Sequence, residues 1–380
     1  MEFDWTTEQT TRFEDTLKAV STAFPLTDDG PPADFYRRED WLRLGELGFL
    51  GLSVPTRYGG SGLGALETAH LVEALGRGCG QTGLVFGANA HLFACAMPLA
   101  EFATEETRRR LLPSMCTGEA IAGNAITEET AGSDVAALTT TAHRTTGGWI
   151  LNGEKSFVSN GPAADLFLTY ALTDRAAGPF ATTAFVVQRT ADGLTVGEPF
   201  AKMGLSQCPA GGLRFENCFV PDSHVLGEPG QGGIIFQHSM GWERTCLFAA
   251  YLGLADRLLE QCLHHVRQRR QFGRPLTDFQ AVTHRIADMK LRTEAARLLL
   301  YRACWEKDQE RPHRLATALS KLALSEGVLA SALDTVRIFG ARGYRSADGI
   351  EAALRDAVPT VLFSGTSDIQ RELICKELGI

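Results

Sequence analysis

A carboxylate set in an apolar helix is a candidate base, and Glu243 is so placed. It stands in Met240-Gly241-Trp242-Glu243-Arg244-Thr245-Cys246-Leu247-Phe248-Ala249-Ala250, a run otherwise apolar and aromatic apart from Arg244 and Thr245. Burying a carboxylate is costly unless it is paired or has a chemical role. Burial also disfavours the charged form and raises a glutamate towards the range where it takes a proton at neutral pH. A salt bridge to Arg244 or to another helix explains the same residue structurally, and at this point both readings stand.

Other chemistries find less support. The nine cysteines are scattered and form no CxxC, and the nine histidines contain no HExxH. The expectation is buried thiols in a reducing cytoplasm and no metal site. The Gly-rich stretch Gly227–Gly233 lacks the GK[ST] of a phosphate-binding loop and reads as a linker. A net charge of −8, spread along the chain, argues against nucleic-acid binding. The N-terminus MEFDWTTEQT has no apolar core of a signal peptide. No run reads as long enough to span a bilayer, so no membrane partner is expected.

The elements that must position Glu243 follow from periodicity. The 380 residues suffice for two or three domains. Residues 1–120 read as helical. Asp40–Leu47 is a helix closed by Gly48, Val54–Gly62 a loop, and helical spacing resumes over Ala65–Leu75 and Gln81–Phe102. Residues 121–230 change to short β-branched and aromatic runs, including Thr139–Arg144, Trp149–Glu154, Lys155–Ser159, Leu166–Tyr170, Thr183–Val187 and Gly212–Phe215. Gly147-Gly148 and Asn152-Gly153 read as turns between them, and the spacing suggests a small barrel or sandwich. Residues 231–380 are helical over 234–268, 280–308 and 313–339, the pattern of a bundle.

Four segments in this order resemble motifs of the acyl-CoA dehydrogenase family. Ala125–Asp134 is similar to its "TEPxAGSD" loop and Gly153–Gly161 to "GxKxxITNG". Arg269–Leu276, followed by Gln280, is similar to "RxxFGxP", and Phe363–Arg371 to "xxGTxxIQ". The resemblance implies an α+β architecture: a helical N-terminal domain, a middle β-barrel domain and a C-terminal four-helix bundle. It also implies FAD. By match, Ile126, Thr127, Gly132 and Ser133 would supply donors to the flavin, with Phe157 and Ser159 packed near its ring system. Arg269, Gln271, Phe272 and Gln280 would reach FAD across a subunit interface, with Arg337, Gly340 and Ala341 near the diphosphate and Thr366 and Asp368 on the adenosine side. A homo-oligomer, dimer or tetramer, is therefore expected. Without the resemblance, Arg267, Arg269, Arg270 and Arg274 read as a solvated basic helix end, Phe272-Gly273 as a helix stop and Asn160-Gly161-Pro162 as a turn.

Many family members carry the catalytic glutamate where this chain has Ser364. A serine does not take an α-proton at neutral pH without a base of its own. The isovaleryl-CoA dehydrogenase branch places the glutamate on a bundle helix directly before an arginine, and Glu243-Arg244 matches that arrangement. The resemblance then implies that Glu243 removes the proton α to a thioester carbonyl while the β-hydride goes to flavin N5. The backbone N–H of Ser364 would stabilise the developing oxyanion.

Some relatives place an Asp near Gly241, where the CoA chain passes; here Gly241-Trp242 stand there. The stretches Ala94–Pro98, Ser239–Arg244, Leu298–Trp305 and Ser320–Ala323 resemble a narrower branch that oxidises prolyl thioesters on carrier proteins in natural-product pathways. Arg244 would face the phosphopantetheine phosphate or the carrier. The expected partners are an acyl or aminoacyl carrier protein or an acyl-CoA, and an electron-transfer flavoprotein or oxygen as acceptor. The competing readings are a short or branched-chain acyl-CoA dehydrogenase, a flavin monooxygenase on the same fold, and a non-enzymatic flavin-loaded assembly protein.

Overall fold

The computed structural model describes residues 4–26 and 35–380. The chain begins with α1 (Thr7–Ala23), whose first turn is closed by a reciprocal pair. Thr6 accepts from the Gln9 amide at 3.2 Å, and the Gln9 side chain accepts from the Thr6 amide at 3.1 Å. Next come α2 (Arg38–Glu46), α3 (Ala65–Gly78), α4 (Thr82–Asn89), α5 (Met97–Phe102) and α6 (Glu105–Thr117). Residues Ala90–Ala96, between α4 and α5, are wound as a π-helix.

Thr82–Phe102 corrects one expectation. An 18-residue window of this 21-residue stretch has a mean hydropathy of 1.4, long and apolar enough to cross a membrane. Yet 89% of that window is buried inside the protein, so the stretch serves as a core helix. The polar residues that interrupt the run are satisfied inside. Asn89 donates to the Val85 carbonyl at 2.8 Å. His91 accepts from the Ala122 amide through Nδ1 at 2.9 Å, so its Nε2 carries the proton shared with the Met115 carbonyl at 3.2 Å.

The middle of the chain is one sheet. Its strands are β1 (Ala122–Ala125), β2 (Thr141–Thr145), β3 (Gly148–Ser159), β4 (Leu166–Leu172), β5 (Thr182–Gln188), β6 (Leu194–Val196), β7 (Ala210–Pro221) and β8 (Val225–Leu226). They lie in the order β6-β7-β3-β2-β4-β5-β8, and β1 pairs parallel with β4. Asn152-Gly153 is not the turn the sequence suggests. β3 runs straight through it, and the register against β7 slips there and again between Lys155 and Val158. Gly153, at φ 139, forms a bulge in which Asn152 Oδ1 takes the Asn217 amide at 2.8 Å.

The C-terminal part comprises α7 (Gly232–Trp242), α8 (Ala249–Gln268), the hairpin β9 (Arg270–Gln271) and β10 (Arg274–Pro275), α9 (Gln280–Asp308), α10 (Arg314–Phe339), α11 (Ala341–Tyr344), α12 (Ile350–Ala357) and α13 (Ser367–Glu377). Helix α10 packs on α8, α9, α12 and α13, and α3 packs on α8. The bundle and the N-terminal helices thus share a core. Asp308, ending α9, accepts from the Ala65 and Leu66 amides at 2.6 and 2.9 Å and so caps α3. All nine cysteines are free thiols and eight are buried, as their scatter suggests.

Candidate active site

Glu243 opens a second π-helical segment, Glu243–Leu247, between α7 and α8. That segment packs against the π-helix of residues Ala90–Ala96. The widened winding shifts side chains relative to an α-helix and is frequent at functional positions. Here it places the Glu243 carboxylate inside the protein. Its Oε2 accepts the Ser364 hydroxyl at 2.8 Å, and its Oε1 is buried without a partner. Burial raises the carboxyl to about 7, while the Ser364 hydrogen bond and the Arg244 charge pull against that rise. The pair with Arg244 allowed by the sequence does not form as a hydrogen-bonded salt bridge. Arg244 turns instead to donate from Nε to the Ser364 carbonyl at 2.9 Å.

Ser364 itself sits at φ 53, a conformation that a non-glycine residue adopts only when its surroundings impose it. Gly365 follows at φ 87, and a side chain there would lie 2.9 Å from Gln370 Nε2 and 3.2 Å from Arg244. Phe363 holds the turn from below. Its ring lies 4.8 Å from Phe86, 5.3 Å from Phe248 and 5.9 Å from Tyr251. Gln370 donates to the Gly365 carbonyl at 3.1 Å. Thr366 caps α13 by accepting from the Ile369 amide at 3.2 Å, and Asp368 on its first turn pairs with Arg371 at 2.9 Å.

The Cys95 thiol is raised by its burial and then by the Glu243 charge. Beneath the turn, Lys321 is wholly buried. Its Nζ donates to the Thr360 carbonyl at 2.9 Å and lies 5.3 Å from the centre of the Phe248 ring. Burial, and then the Arg244 charge, push this amine down to about 7. No role for Lys321 follows from the sequence, because a lysine on an apolar helix face does not announce what its amine meets.

The second group of predicted residues belongs to the sheet. Ile126 is half-buried, Thr127 accepts the Ser156 amide at 2.8 Å, and Gly132 and Ser133 are exposed. Open space surrounds the Gly132 α-carbon. Phe157 stands at φ 57 on the second β3 bulge, 55% exposed and edge-on to Phe200 at 5.6 Å, with the half-buried Ser159 two residues on. A buried ion pair anchors the loop. Lys155 Nζ donates to Glu128 Oε1 at 2.8 Å and to the Ile126 carbonyl at 3.1 Å. Glu128 also accepts from the Thr139 and Thr140 amides at 2.7 and 2.9 Å. Burial pushes Glu128 up, but these bonds outweigh it and hold the carboxyl at about 2; burial lowers Lys155 to about 8. Both residues lie inside motifs recognised in the sequence, yet their pairing across 27 residues is a tertiary fact.

The third group faces outward. Arg269, Gln271 and Gln280 are exposed, and Phe272, at φ 50, is 91% exposed at the tip of the β9–β10 hairpin. Arg337 is exposed and paired with Asp334 at 3.2 Å, Gly340 has φ 62, and the exposed Ala341 starts α11. Among the described residues no group of His, Cys, Asp and Glu has the arrangement of a metal site.

Comparison with known proteins gives this geometry a family. Residues 23–119, 123–218 and 230–379 match the N-terminal, middle and C-terminal domains of acyl-CoA dehydrogenases, respectively. An L-prolyl-[peptidyl-carrier protein] dehydrogenase of Pseudomonas fluorescens is 55% identical over 347 residues, covering 91% of each chain. The mitochondrial isovaleryl-CoA dehydrogenase of Solanum tuberosum is 35% identical over 338 residues, covering 89% of this chain and 82% of the other. Among solved structures, PigA with FAD and proline superposes with a TM-score of 0.97 at 40% identity over 100% of this chain and 99% of that one. The prolyl acyl carrier protein oxidase AnaB gives 0.96 at 39%, over 99% and 100%. With all three domains matched in order and these identities over nearly the whole chain, the chain belongs to the acyl-CoA dehydrogenase family.

Proposed function

We propose that this chain is an FAD-dependent dehydrogenase of an acyl thioester, and that its substrate is a prolyl group held on a carrier protein. The observation that carries the chemistry is Glu243. One of its oxygens is fixed by Ser364, the other is free, and its carboxyl titrates at about 7. A base needs a free oxygen and a pKa near the working pH. Glu243 Oε1 takes the α-proton, and Ser364 keeps the carboxylate from rotating away. The Ser364 amide stabilises the charge that develops on the thioester oxygen. The prolyl thioester comes from the relatives above, two of which are named for a prolyl group on a carrier protein.

The residues present fit FAD. Phe157 stands exposed beside a loop with open space at Gly132, and the buried Asn124 Oδ1 near that loop lacks a partner. Ile126, Thr127, Gly132, Ser133, Phe157 and Ser159 would hold the flavin from one chain. Thr366 and Asp368 would hold the adenosine side. Arg269, Gln271, Phe272, Gln280, Arg337, Gly340 and Ala341 would hold the diphosphate of a neighbouring subunit's cofactor. When bound, FAD accepts the hydride that leaves the β-carbon. We take the domain boundaries near residues 120 and 230, the assembly as a homodimer or homotetramer, and the location as the cytoplasm. The electron acceptor is an electron-transfer flavoprotein or oxygen.

The test is an anaerobic titration of the yellow protein, with flavin absorbance followed as substrate is added. Bleaching by the prolyl carrier protein and not by isovaleryl-CoA is the expected result. Bleaching by the CoA ester alone returns the chain to ordinary acyl-CoA oxidation and ends the carrier reading.

A further inference from the structure

We propose that Tyr170 and Ser239 bind the ring nitrogen of the substrate, and so select a cyclic secondary amine over a carbocyclic acyl group. The nitrogen rests on the prolyl reading above; the paired groups stand on their own geometry. Three elements enclose them. Phe236, Ser239 and Glu243 lie three and seven residues apart on α7 and its π-helical continuation, so they share one face, and all three are buried. Strand β4 meets that face from the sheet, where the buried Tyr170 ring stands edge-on to Phe236 at 5.8 Å. The π-helix of Ala90–Ala96 closes the third side. It packs on α7, on β4 and on the segment that carries Glu243, and it contributes the buried Cys95.

The polar atoms here are unsatisfied in complementary ways. Tyr170 Oη is buried with no hydrogen-bond partner, and so is Glu243 Oε1. Burial lifts the Tyr170 phenol well above its ordinary value; Cys95 adds to the rise, Ser239 opposes it and Glu243 adds again. The phenol therefore keeps its proton at any working pH, and what it lacks is an acceptor. Ser239 is the reverse. Its hydroxyl proton goes to the Phe236 carbonyl at 2.9 Å, which leaves its oxygen only lone pairs to offer. Ser239 stands near enough to act on Tyr170, yet no hydrogen bond closes between them.

One donor beside one acceptor matches an uncharged secondary amine, which carries one lone pair and one N–H. The Tyr170 hydroxyl donates to the lone pair, and the N–H donates to Ser239 Oγ. A methylene in the same place satisfies neither group and leaves a buried hydroxyl unpaired, the kind of loss by which a site rejects an analogue. The α-carbon is bonded to that nitrogen. Ser239 and Glu243 are four residues apart, roughly 6 Å along the helix axis, so an amine held at Ser239 brings the α-proton towards Glu243 Oε1.

The experiment is anaerobic reduction of the FAD-loaded protein by carrier-bound prolyl and carrier-bound cyclopentanecarbonyl thioesters, which differ in N–H against CH2. The parent should prefer the prolyl thioester about 100-fold at limiting substrate, the scale of two hydrogen bonds. Tyr170→Phe and Ser239→Ala should each cut that preference to about 10-fold, with the carbocycle reacting no more slowly than in the parent. The intrinsic reactivities of the two thioesters cancel when the proteins are compared. A packing role would slow both thioesters alike; a preference unchanged in both variants, or absent in the parent, overturns the proposal. Binding of L-prolinamide against cyclopentanecarboxamide, followed through the flavin spectrum, separates this site from the reading it rests on. If the prolyl carrier protein reduces no flavin, but the protein prefers L-prolinamide and Tyr170→Phe removes that preference, the amine site stands and the carrier reading falls. If the prolyl carrier protein reduces the flavin and neither variant alters the preference, the carrier reading stands and the amine site falls.

Discussion

At the scale of the residue, Glu243 and Ser364 divide work that a single surface glutamate would not manage. Burial supplies the raised pKa, and the serine hydroxyl restrains it and fixes one oxygen. Flavin reduction should therefore rise with pH through about 7 as Glu243 loses its proton. Glu243→Gln should keep the flavin spectrum and lower the anaerobic reduction rate by about a thousandfold, within the usual range for a general base. A normal rate in that variant would remove Glu243 from the mechanism. Ser364→Ala deletes the hydrogen bond that lowers the pKa, so the midpoint of the pH–rate curve should move upward with the flavin retained. The same burial has a cost in stability. The folded carboxyl titrates at about 7 against an ordinary 4.5, so the native state holds the proton more tightly than the unfolded chain. Stability is then highest below about pH 4.5 in this term and is lost as pH rises through 7, on the order of 3 kcal/mol in all. Glu243→Gln removes the term, and its melting temperature should gain on the parent's between pH 5 and pH 8.

At the scale of the element, irregular winding and a buried ion pair do the positioning. Two π-helical segments meet where Glu243 enters the core, and β3 carries the bulge that turns Phe157 outward. The loop before it is tied down by Glu128 and Lys155, both nearly inaccessible to solvent. Removing one partner of a buried pair leaves the other charge uncompensated, at about 3–5 kcal/mol. Lys155→Met should thus lower the melting temperature by several degrees and release flavin from the loop that it anchors. Glu128→Gln combined with Lys155→Met leaves no buried charge and should recover much of that stability. A double variant no more stable than Lys155→Met alone would show that the hydrogen bonds to Thr139 and Thr140 matter more than the charge pair.

At the scale of the whole molecule, the order of helices, strands and bundle was legible because each part has its own hydrophobic period. The bundle helices fall close to where the pattern places them, as α9 at Gln280–Asp308 and α10 at Arg314–Phe339 show. What was not legible depends on partners distant in sequence. Asn152-Gly153 carries a turn signature, but pairing of β3 with β7 on both sides of it forces a bulge. Arg244 has Glu243 as its neighbour, but the Ser364 carbonyl, 120 residues on, captures its guanidinium. Thr82–Phe102 hid its length behind Asn89 and His91, whose hydrogen bonds lie within the core. The β9–β10 hairpin extends the same logic beyond one chain. Phe272 projects at 91% exposure from a strained tip, with the exposed Arg269 and Gln271 beside it and the exposed Leu291 and Leu298 along α9. Within the monomer this aromatic meets only the edge of the hairpin, its ring 6.1 Å from that of Phe279, so a substitution there should change monomer stability little, by about 0.5 kcal/mol or less. If a second subunit covers it, an aromatic at the centre of that contact contributes about 2 kcal/mol or more, or roughly 30-fold in affinity. Phe272→Ala should then leave the fold intact by circular dichroism, shift sedimentation towards a smaller species at low micromolar concentration, and raise the FAD dissociation constant in parallel. Loss of FAD without any change in sedimentation would place the hairpin on the cofactor of its own chain. Unchanged values for both would show that neither cofactor nor subunit rests on Phe272.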